Sequence, residues 1–224
     1  MCMSEQDTAF CHPGFFCQIA VSNQELYRLA RRKEKEEREA YTDFLAGLAC
    51  GHQTCLHRNV KPDILIIREK QLSEIQYVEL FAGLWEKVEQ YKQKRQEETA
   101  LLIPHTYPLA ARQTGSAWLH LTLPLFRKYR CHNILSGLQT GVSVHSAAEA
   151  AEAQKLGAAY VIAGHIFRTD CKKGVVPRGL DFLEQVCASV TIPVYAIGGV
   201  HENNMFQIQK RGAAGACRMS EYML

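Results

Sequence analysis

The sequence has 224 residues, of which 47% are hydrophobic and 22% are charged, and its formal net charge is +3. This length and composition are those of a soluble globular enzyme with one domain, or with one domain and an insertion. The weak positive charge argues against a nucleic-acid partner, although it suits an anionic small ligand.

The nine cysteines follow no regular spacing, and the N-terminus carries neither a positively charged leader nor a long apolar run. We therefore expect reduced thiols in a cytoplasmic protein. No apolar stretch approaches the length needed to span a bilayer, so a membrane is not an expected partner.

The first predicted elements are a strand over 16–22 and a largely charged helical stretch that covers about 23–60. Residues 63–70 predict a buried parallel strand, because four consecutive aliphatic residues suit a sheet that is covered on both faces. An amphipathic helix is predicted over 73–96. Its expected apolar face consists of Ile75, Val78, Leu80, Phe81, Leu84, Trp85 and Val88.

A short Cys- and His-rich segment precedes the second strand and contains Cys50, His52, Cys55 and His57. These residue types are zinc ligands, but their spacing matches no usual zinc motif. One short segment also rarely supplies all four tetrahedral ligands. We favour a polar loop here and keep zinc as the minor alternative.

Further strands are predicted at 100–106, 117–122, 140–145, 160–167, 192–200 and 215–220. Eight parallel strands that alternate with helices predict an α/β protein with a (β/α)8 TIM barrel rather than an open doubly wound sheet. Because few residues follow the eighth strand, we expect the last helix to be short or missing. The domain prediction is a single barrel over residues 1–224.

The strongest candidate for chemistry is His145, at the end of the fifth strand. Alternation places Gly141, Ser143 and His145 on one face of that strand. Ser146 begins a Ser-x-x-Glu capping box with Glu149, so a helix starts at once. A histidine titrates near neutrality and can both accept and donate a proton, which makes His145 a candidate general acid/base.

The carboxyl ends of barrel strands meet at one mouth, where ligands bind. Gly198-Gly199 and Met219-Ser220 follow strands seven and eight, where barrels commonly hold phosphate through backbone N–H groups. His105 and His120 also lie near strand ends, but we expect pocket-lining or hydrogen-bonded polar residues there rather than catalysts. The sequence contains no Ser-His-Asp order, P-loop or dinucleotide-binding fingerprint.

Five segments resemble the superfamily of small barrels that contains TenI and thiamine-phosphate synthase. They are IREK at 67–70, SVHSAAEA at 143–150, YVIAGHIFRTDCKKG at 160–174, IPVYAIGGV at 192–200 and RMS at 218–220. The resemblance covers most of residues 60–222 and is closest to TenI, the thiazole tautomerase. Gly164-His165 follows the TenI pattern, whereas synthase relatives usually carry Gly-Pro at that point.

The resemblance implies an isomerase that converts a carboxylated, non-aromatic thiazole phosphate into the aromatic product. His145 would remove one proton and return another, while Gly198, Gly199, Met219 and Ser220 would hold the phosphate. Further contacts to substrate or anionic groups are expected from Arg68, Lys70, Ser143, Thr169 and Lys172. No metal or cofactor is implied, the expected partner is a small phosphorylated thiazole, and a homodimer is left open.

Two alternatives remain open. The first is thiamine-phosphate synthase, which joins a pyrimidine pyrophosphate to a thiazole phosphate and, by resemblance, holds Mg²⁺ through Asp residues after strands three and four. Residues 101–125 contain no Asp or Glu, which disfavours that alternative. The second is a non-catalytic regulatory protein that retains the phosphate pocket.

Overall fold

The computed structural model describes residues 15–31, 38–52, 54–55, 58–59 and 61–224. The strands are β1 Cys17–Val21, β2 Thr54–Cys55, β3 Arg58–Asn59, β4 Ile64–Ile67, β5 Leu101–Pro104, β6 Trp118–Thr122, β7 Gln139–Val144, β8 Tyr160–Gly164, β9 Val194–Ile197 and β10 Gly215–Arg218. The helices are α1 Gln24–Ala30, α2 Arg38–Ala49, α3 Glu74–Arg95, α4 Pro108–Thr114, α5 Leu123–Cys131, α6 Ala147–Lys155, α7 Gly179–Ser189, α8 Met205–Lys210 and α9 Ser220–Met223.

Eight of these strands belong to one parallel sheet and alternate with helices along the chain, which confirms the predicted (β/α)8 barrel class. The helix after the eighth strand, α9, has only four residues, as expected. Within the described residues, no helix combines the length and the apolar character needed to cross a membrane.

The Cys- and His-rich segment differs in part from the predicted loop. Thr54 and Cys55 pair with Asn59 and Arg58 in a short antiparallel ladder, β2–β3. The side chains of Cys55 and His57 lie outside the described residues, so the zinc alternative is not tested. Cysteines that the structure describes as free thiols are Cys17, Cys50, Cys131, Cys171, Cys187 and Cys217.

Contacts divide the chain into two compact units. Taking only the described residues of each range, we call Ile19–Ser116 with Met219–Leu224 the N-terminal unit, and Met1–Gln18 with Ala117–Arg218 the C-terminal unit. The prediction of a single domain stays a prediction. Each unit is described by itself below.

In the N-terminal unit the parallel strand order is β5-β4-β1, with Ile64 opposite both Ile19 and Leu101. Helices α2 and α3 cover this part of the sheet with buried aliphatic and aromatic side chains. Ser73 caps α3 in a capping box with Gln76. The apolar face predicted for this helix was wrong at one position, because Ile75 is 74% exposed.

Near the start of α3 the buried side chain is that of Tyr77 rather than that of Ile75. It is 1% exposed, and its hydroxyl donates to the carbonyl of Ile67 over 2.6 Å. Pattern reasoning missed it because a phenol ranks as polar in a search for apolar periodicity, although its ring is apolar. This contact ties the start of α3 to the end of β4.

In the C-terminal unit the parallel strand order is β10-β9-β8-β7-β6. As predicted, successive side chains of β7 alternate, because Val142 and Val144 are fully buried in a core cluster with residues of α6 and α7. The opposite face carries Gly141 and Ser143. Gly141 lies between His120 on β6 and Tyr160 on β8 in the strand register.

Gly141 leaves the space that the ring of Tyr160 occupies. A Cβ atom at residue 141 would stand 1.9 Å from Cζ of Tyr160, well inside any van der Waals contact. The ring is fully buried and packs edge-on against Tyr195, with 5.5 Å between the ring centroids. A side chain at residue 141 would therefore displace a large aromatic ring from a packed interior.

We expect Gly141→Ala to lower the free energy of unfolding by about 1–3 kcal/mol, because the added methyl group overpacks this face of β7. Gly83→Ala is the matched control. Gly83 lies inside α3, and apart from its chain neighbours and the backbone of its own helix no atom lies within 4 Å of an added Cβ, so its replacement should stabilise by about 0.5–1 kcal/mol. Urea unfolding followed by circular dichroism measures both, and equal stability of the two variants would contradict the prediction.

Candidate functional site

His145 is the first residue after β7, and its ring is held by the neighbouring strand. Its Nδ1 atom lies 2.8 Å from the carbonyl oxygen of Gly164, at the end of β8. A carbonyl oxygen can only accept, so Nδ1 carries the proton. In the neutral ring Nε2 then holds a lone pair, and the side chain is exposed. His145 is therefore placed to take up a proton at Nε2.

The start of α6 fixes the backbone of His145. The hydroxyl of Ser146 accepts from the N–H of Glu149 over 3.0 Å, which confirms the predicted N-cap. The carboxylate of Glu149 accepts from the N–H of His145 over 2.6 Å, one residue before the donor that a capping box uses. Both the ring and the main chain of His145 are thus held at a strand end.

Gly198-Gly199 adopts positive φ angles of 98° and 64° just after β9. An added Cβ at Gly198 would lie 2.3 Å from Cβ of His165, and one at Gly199 would lie 2.3 Å from the carbonyl oxygen of Arg168. These glycines therefore let segment 165–168 pack directly on the end of β9. The structure thus shows a close approach of the chain itself at these two glycines.

Among the backbone hydrogen bonds of turns, loops and caps in the described residues, none has the N–H of Gly198 or Gly199 as its donor. Their carbonyl oxygens are used, since Gly198 accepts from Phe167 N over 2.9 Å and Gly199 accepts from Asn204 Nδ2 over 2.9 Å. Two such N–H groups at a strand end can bind an anion. This arrangement fits the phosphate role predicted for the pair, which stays a prediction.

Thr169 and Lys172 belong to the loop after β8. A short 3₁₀ turn over Asp170–Lys172 is closed by the N–H of Lys172, which donates to the carbonyl of Thr169 over 3.1 Å. Thr169 is half-buried and Lys172 is exposed. The loop is closed at its base, because the N–H of Arg178 donates to the carbonyl of His165 over 3.0 Å.

Arg68 and Lys70 lie together in the N-terminal unit, on a cleft of about 260 Å³. Arg68 is half-buried and Lys70 is exposed. The lining residues are Arg68, Glu69, Lys70, Tyr77, His105, Thr106 and Tyr107. His105 is thus a pocket-lining residue, as expected, and its Nδ1 lies 2.5 Å from Oγ1 of Thr106. The sequence did not reveal Thr106, whose φ of 74° is rare for a β-branched residue.

Glu69 is a buried carboxylate in the lining of this cleft, with an exposure of 3%. One carboxylate oxygen accepts from the hydroxyls of Ser22 and Tyr41, each over 2.5 Å. The other accepts from the N–H of Gln24 over 2.9 Å and from Nε2 of Gln71 over 3.2 Å. The carboxylate therefore joins the ends of β1 and β4 to α2. Sequence reasoning missed it, because it considered only the cations of the Arg68–Lys70 segment.

Met219 and Ser220 also belong to the N-terminal unit. The predicted strand over 215–220 ends at Arg218, and Ser220 begins α9. The N–H groups of Tyr222 and Met223 donate to the carbonyl of Met219 over 3.2 and 3.1 Å. The predicted phosphate-binding set is thus divided, with Gly198-Gly199 in one unit and Met219-Ser220 in the other.

The donor atoms at the ends of β5 and β6 do not fit Mg²⁺, which prefers carboxylate oxygens, water and phosphate. His105 and Thr106 follow β5, Leu123 follows β6, and no carboxylate occurs between residues 101 and 125. The carboxylate of Glu69 lines the same cleft as His105, but each of its oxygens already accepts two hydrogen bonds. Among the described residues, no three His, Cys, Asp or Glu side chains gather into a metal site.

Comparison with known proteins decides the family. The family model described as thiamine monophosphate synthase, TMP-TENI, matches residues 51–222. The chain belongs to this family. It is 45% identical over 74 residues to a thiamine-phosphate synthase of Pelotomaculum thermopropionicum, covering 33% of this chain and 34% of that protein. It is 41% identical over 90 residues to a thiamine-phosphate synthase of Pyrococcus furiosus, covering 40% of this chain and 44% of that protein.

A solved structure shows the same relationship over a longer stretch. The thiamine phosphate pyrophosphorylase from Pyrococcus furiosus matches with a TM-score of 0.66 and 25% identity, covering 93% of this chain and 87% of that chain. The two curated relatives, by contrast, are matched over less than half of their own length. The family and the fold are therefore established, and the activity is a matter of proposal.

The isomerase assignment was wrong. The two curated relatives quoted above are named thiamine-phosphate synthase, which is a transferase and not an isomerase. The assignment depended on Gly164-His165 and on the missing carboxylates, which are local features at the ends of β8, β5 and β6. The similarity along the chain instead favours the alternative named above.

We expect Glu69→Ala to lower the free energy of unfolding by about 3–5 kcal/mol, because it leaves several buried donors without an acceptor. Glu69→Gln keeps one acceptor oxygen but turns a donor toward Gln24 N–H, so we expect a loss of about 1–3 kcal/mol. Urea unfolding measures both. Glu98→Ala, which removes an exposed carboxylate of the same unit, is the control and should change stability by less than about 0.5 kcal/mol. Equal free energies of unfolding for Glu69→Ala, Glu69→Gln and Glu98→Ala would show that the hydrogen bonds of Glu69 have no structural role.

Proposed function

We propose that the chain is a transferase of the thiamine-phosphate synthase type, which joins a pyrimidine pyrophosphate to a thiazole phosphate and releases pyrophosphate. The observation that carries the proposal is the match of the family model to residues 51–222. The structural likeness to a thiamine phosphate pyrophosphorylase over 93% of the chain supports it.

The transfer has strongly anionic reactants and an anionic leaving group, so the site has to hold phosphate oxygens. In the C-terminal unit, the N–H groups of Gly198 and Gly199 and the hydroxyl of Ser143 are the proposed phosphate ligands, together with Thr169 and Lys172. In the N-terminal unit, Arg68 and Lys70 give their cleft a positive charge that favours anions. Met219 and Ser220 are kept as proposed phosphate contacts.

His145 is the proposed acid/base residue. Since Nδ1–H donates to the carbonyl of Gly164, proton uptake occurs at Nε2 and turns the ring into a cation. That cation can donate to an oxygen of the departing pyrophosphate, which leaves with the electron pair of the broken bond. Glu149 and Gly164 hold the backbone and ring of His145, so little ordering is needed on binding.

A second candidate is a protein that binds the phosphorylated thiazole without converting it. The specific observation in its favour is the absence of carboxylates in residues 101–125, where the synthase alternative requires Mg²⁺ ligands. Arg68 and Lys70 would still attract the ligand through charge. No transfer would follow if orientation of the pyrophosphate requires a metal.

One experiment separates these candidates. The full-length protein is incubated with the pyrimidine pyrophosphate and thiazole phosphate, with and without added Mg²⁺, and thiamine phosphate is quantified by chromatography. Calorimetry measures binding of thiazole phosphate in parallel. Formation of thiamine phosphate supports the transferase, whereas binding without product supports the second candidate. Neither binding nor product would overturn both.

We expect His145→Gln to lower the rate of product formation roughly 100-fold or more while leaving thiazole phosphate binding within about threefold, because an amide cannot transfer a proton at neutral pH. His132→Gln is the matched control, since His132 is an exposed histidine at the end of α5. An unchanged rate in His145→Gln would remove His145 from the reaction.

A further inference from the structure

A row of buried polar side chains crosses the C-terminal unit behind Ser143. In the strand register, His120 on β6 lies opposite Gly141 on β7, and Gly141 lies opposite Tyr160 on β8. Because Gly141 has no side chain, the rings of His120 and Tyr160 meet across β7. Their centroids are 5.6 Å apart, and His120 Nδ1 lies 3.1 Å from the hydroxyl of Tyr160.

The other nitrogen of His120 reaches the candidate site. Its Nε2 lies 2.8 Å from Oγ of Ser143, two residues along β7 from Gly141 and on the same face. His120 is 2% exposed and Tyr160 is fully buried, whereas Ser143 is half-buried. The three groups therefore form a chain that leads from the interior of the unit to a proposed phosphate ligand.

The positions of the protons in these hydrogen bonds determine whether the hydroxyl of Ser143 can donate a hydrogen bond to a ligand. A neutral imidazole carries one N–H and one lone pair, so its two hydrogen bonds must run in opposite senses. If Nε2–H donates to Ser143, the serine hydroxyl is released to donate to an anion. If Nε2 accepts from Ser143, the serine presents only lone pairs, which repel phosphate oxygens.

The hydroxyl of Tyr160 favours the arrangement in which Nε2–H of His120 donates to Ser143. Burial raises the pKa of Tyr160 well above its usual range, so the hydroxyl keeps its proton. A buried hydroxyl proton requires an acceptor, and Nδ1 of His120 lies within hydrogen-bond distance. Burial also favours the neutral imidazole, because a charged ring would lose its hydration. Donation by Tyr160 to Nδ1 then places the single ring proton on Nε2.

We propose that His120 is a positioning residue, held by Tyr160 in the Nε2–H tautomer, which turns the hydroxyl of Ser143 into a hydrogen-bond donor for an anionic ligand group. The chain of contacts is Tyr160 O–H to His120 Nδ1, then His120 Nε2–H to Ser143 Oγ. His120 itself touches no ligand. The inference rests on the proposed function only in assuming that Ser143 faces a phosphate or pyrophosphate group.

The tautomer is tested directly by ¹⁵N NMR of the full-length protein, with the His120 signals identified by their loss in His120→Gln. We expect the protonated ring nitrogen to be Nε2 in the absence of any ligand. A protonated Nδ1 would overturn the proposal. This measurement needs neither substrate nor variants of Tyr160, so it stands even if such a variant fails to fold.

Calorimetric titration with inorganic pyrophosphate tests the consequence. Ser143→Ala should weaken binding roughly 10- to 100-fold, as expected for a hydrogen bond to a charged group. Tyr160→Phe removes the donor to Nδ1 and keeps the ring. Tyr160→Phe should weaken binding by about twofold or more, because the imidazole of His120 then populates both tautomers. The loss of affinity should not exceed that of Ser143→Ala. Tyr129→Phe removes a phenol hydroxyl from α5, outside this row, and should bind as the wild type does.

A double variant tests whether Tyr160 affects ligand binding through Ser143. If Tyr160 works through Ser143, Tyr160→Phe combined with Ser143→Ala should bind no more weakly than Ser143→Ala alone. Additive losses, or wild-type affinity in Tyr160→Phe, would overturn the proposal. A wild type that binds no pyrophosphate would refute the ligand role of Ser143, whatever the tautomer. Pyrophosphate binding without formation of thiamine phosphate would count against the transferase alone.

Discussion

An absent side chain at Gly141 is the constraint on which the interior of the C-terminal unit depends. The ring of Tyr160 occupies the space that any Cβ would need, and this lets His120 reach Tyr160 across the strand between them. Tyr160 in turn packs against Trp118 and Tyr195, with centroid distances of 6.1 and 5.5 Å. One glycine thus determines both the packing of three aromatic rings and the path of a hydrogen-bonded chain.

In the N-terminal unit, a buried carboxylate fixes the arrangement of the neighbouring segments. Glu69 accepts from a side chain just after β1, from the backbone at the start of α1, from a side chain of α2 and from a side chain of the segment after β4. Buried polar groups are costly unless they are hydrogen-bonded, so a fully paired network favours one arrangement of these segments over others. Arg68 and Lys70 flank Glu69 in the sequence, and their backbone positions follow from that arrangement. A buried carboxylate therefore positions the cations that line the cleft.

How much the sequence revealed differed between the fold and the site. Strand identity came from local signals, such as the four aliphatic residues of β4 and the alternation of β7, and these signals do not depend on neighbours in space. His145 and its helix cap were found in the same way, because strand end, N-cap and histidine are adjacent in the chain. Glu69 and the row through Gly141 were not found, since their roles arise from partners 20 to 50 residues away. A glycine in a strand indicates a close approach, but it does not say which ring fills the space.

The misassigned reaction has a related physical cause. The reaction type was inferred from residues at the ends of β5, β6 and β8, yet the absence of metal ligands at the end of β5 indicates only what cannot bind there. His105 and Thr106 offer an imidazole and a hydroxyl in place of carboxylates, and Arg68 and Lys70 bring positive charge to the same cleft. Fixed cationic side chains can neutralise a pyrophosphate, but unlike Mg²⁺ they do not impose an octahedral arrangement on its oxygens. If the transferase proposal holds, orientation of the leaving group has to come from directional donors instead. Donors of that kind are the main-chain N–H groups of Gly198 and Gly199. The hydroxyl of Ser143 is another, because the hydrogen bond from His120 leaves its proton free to donate to the ligand.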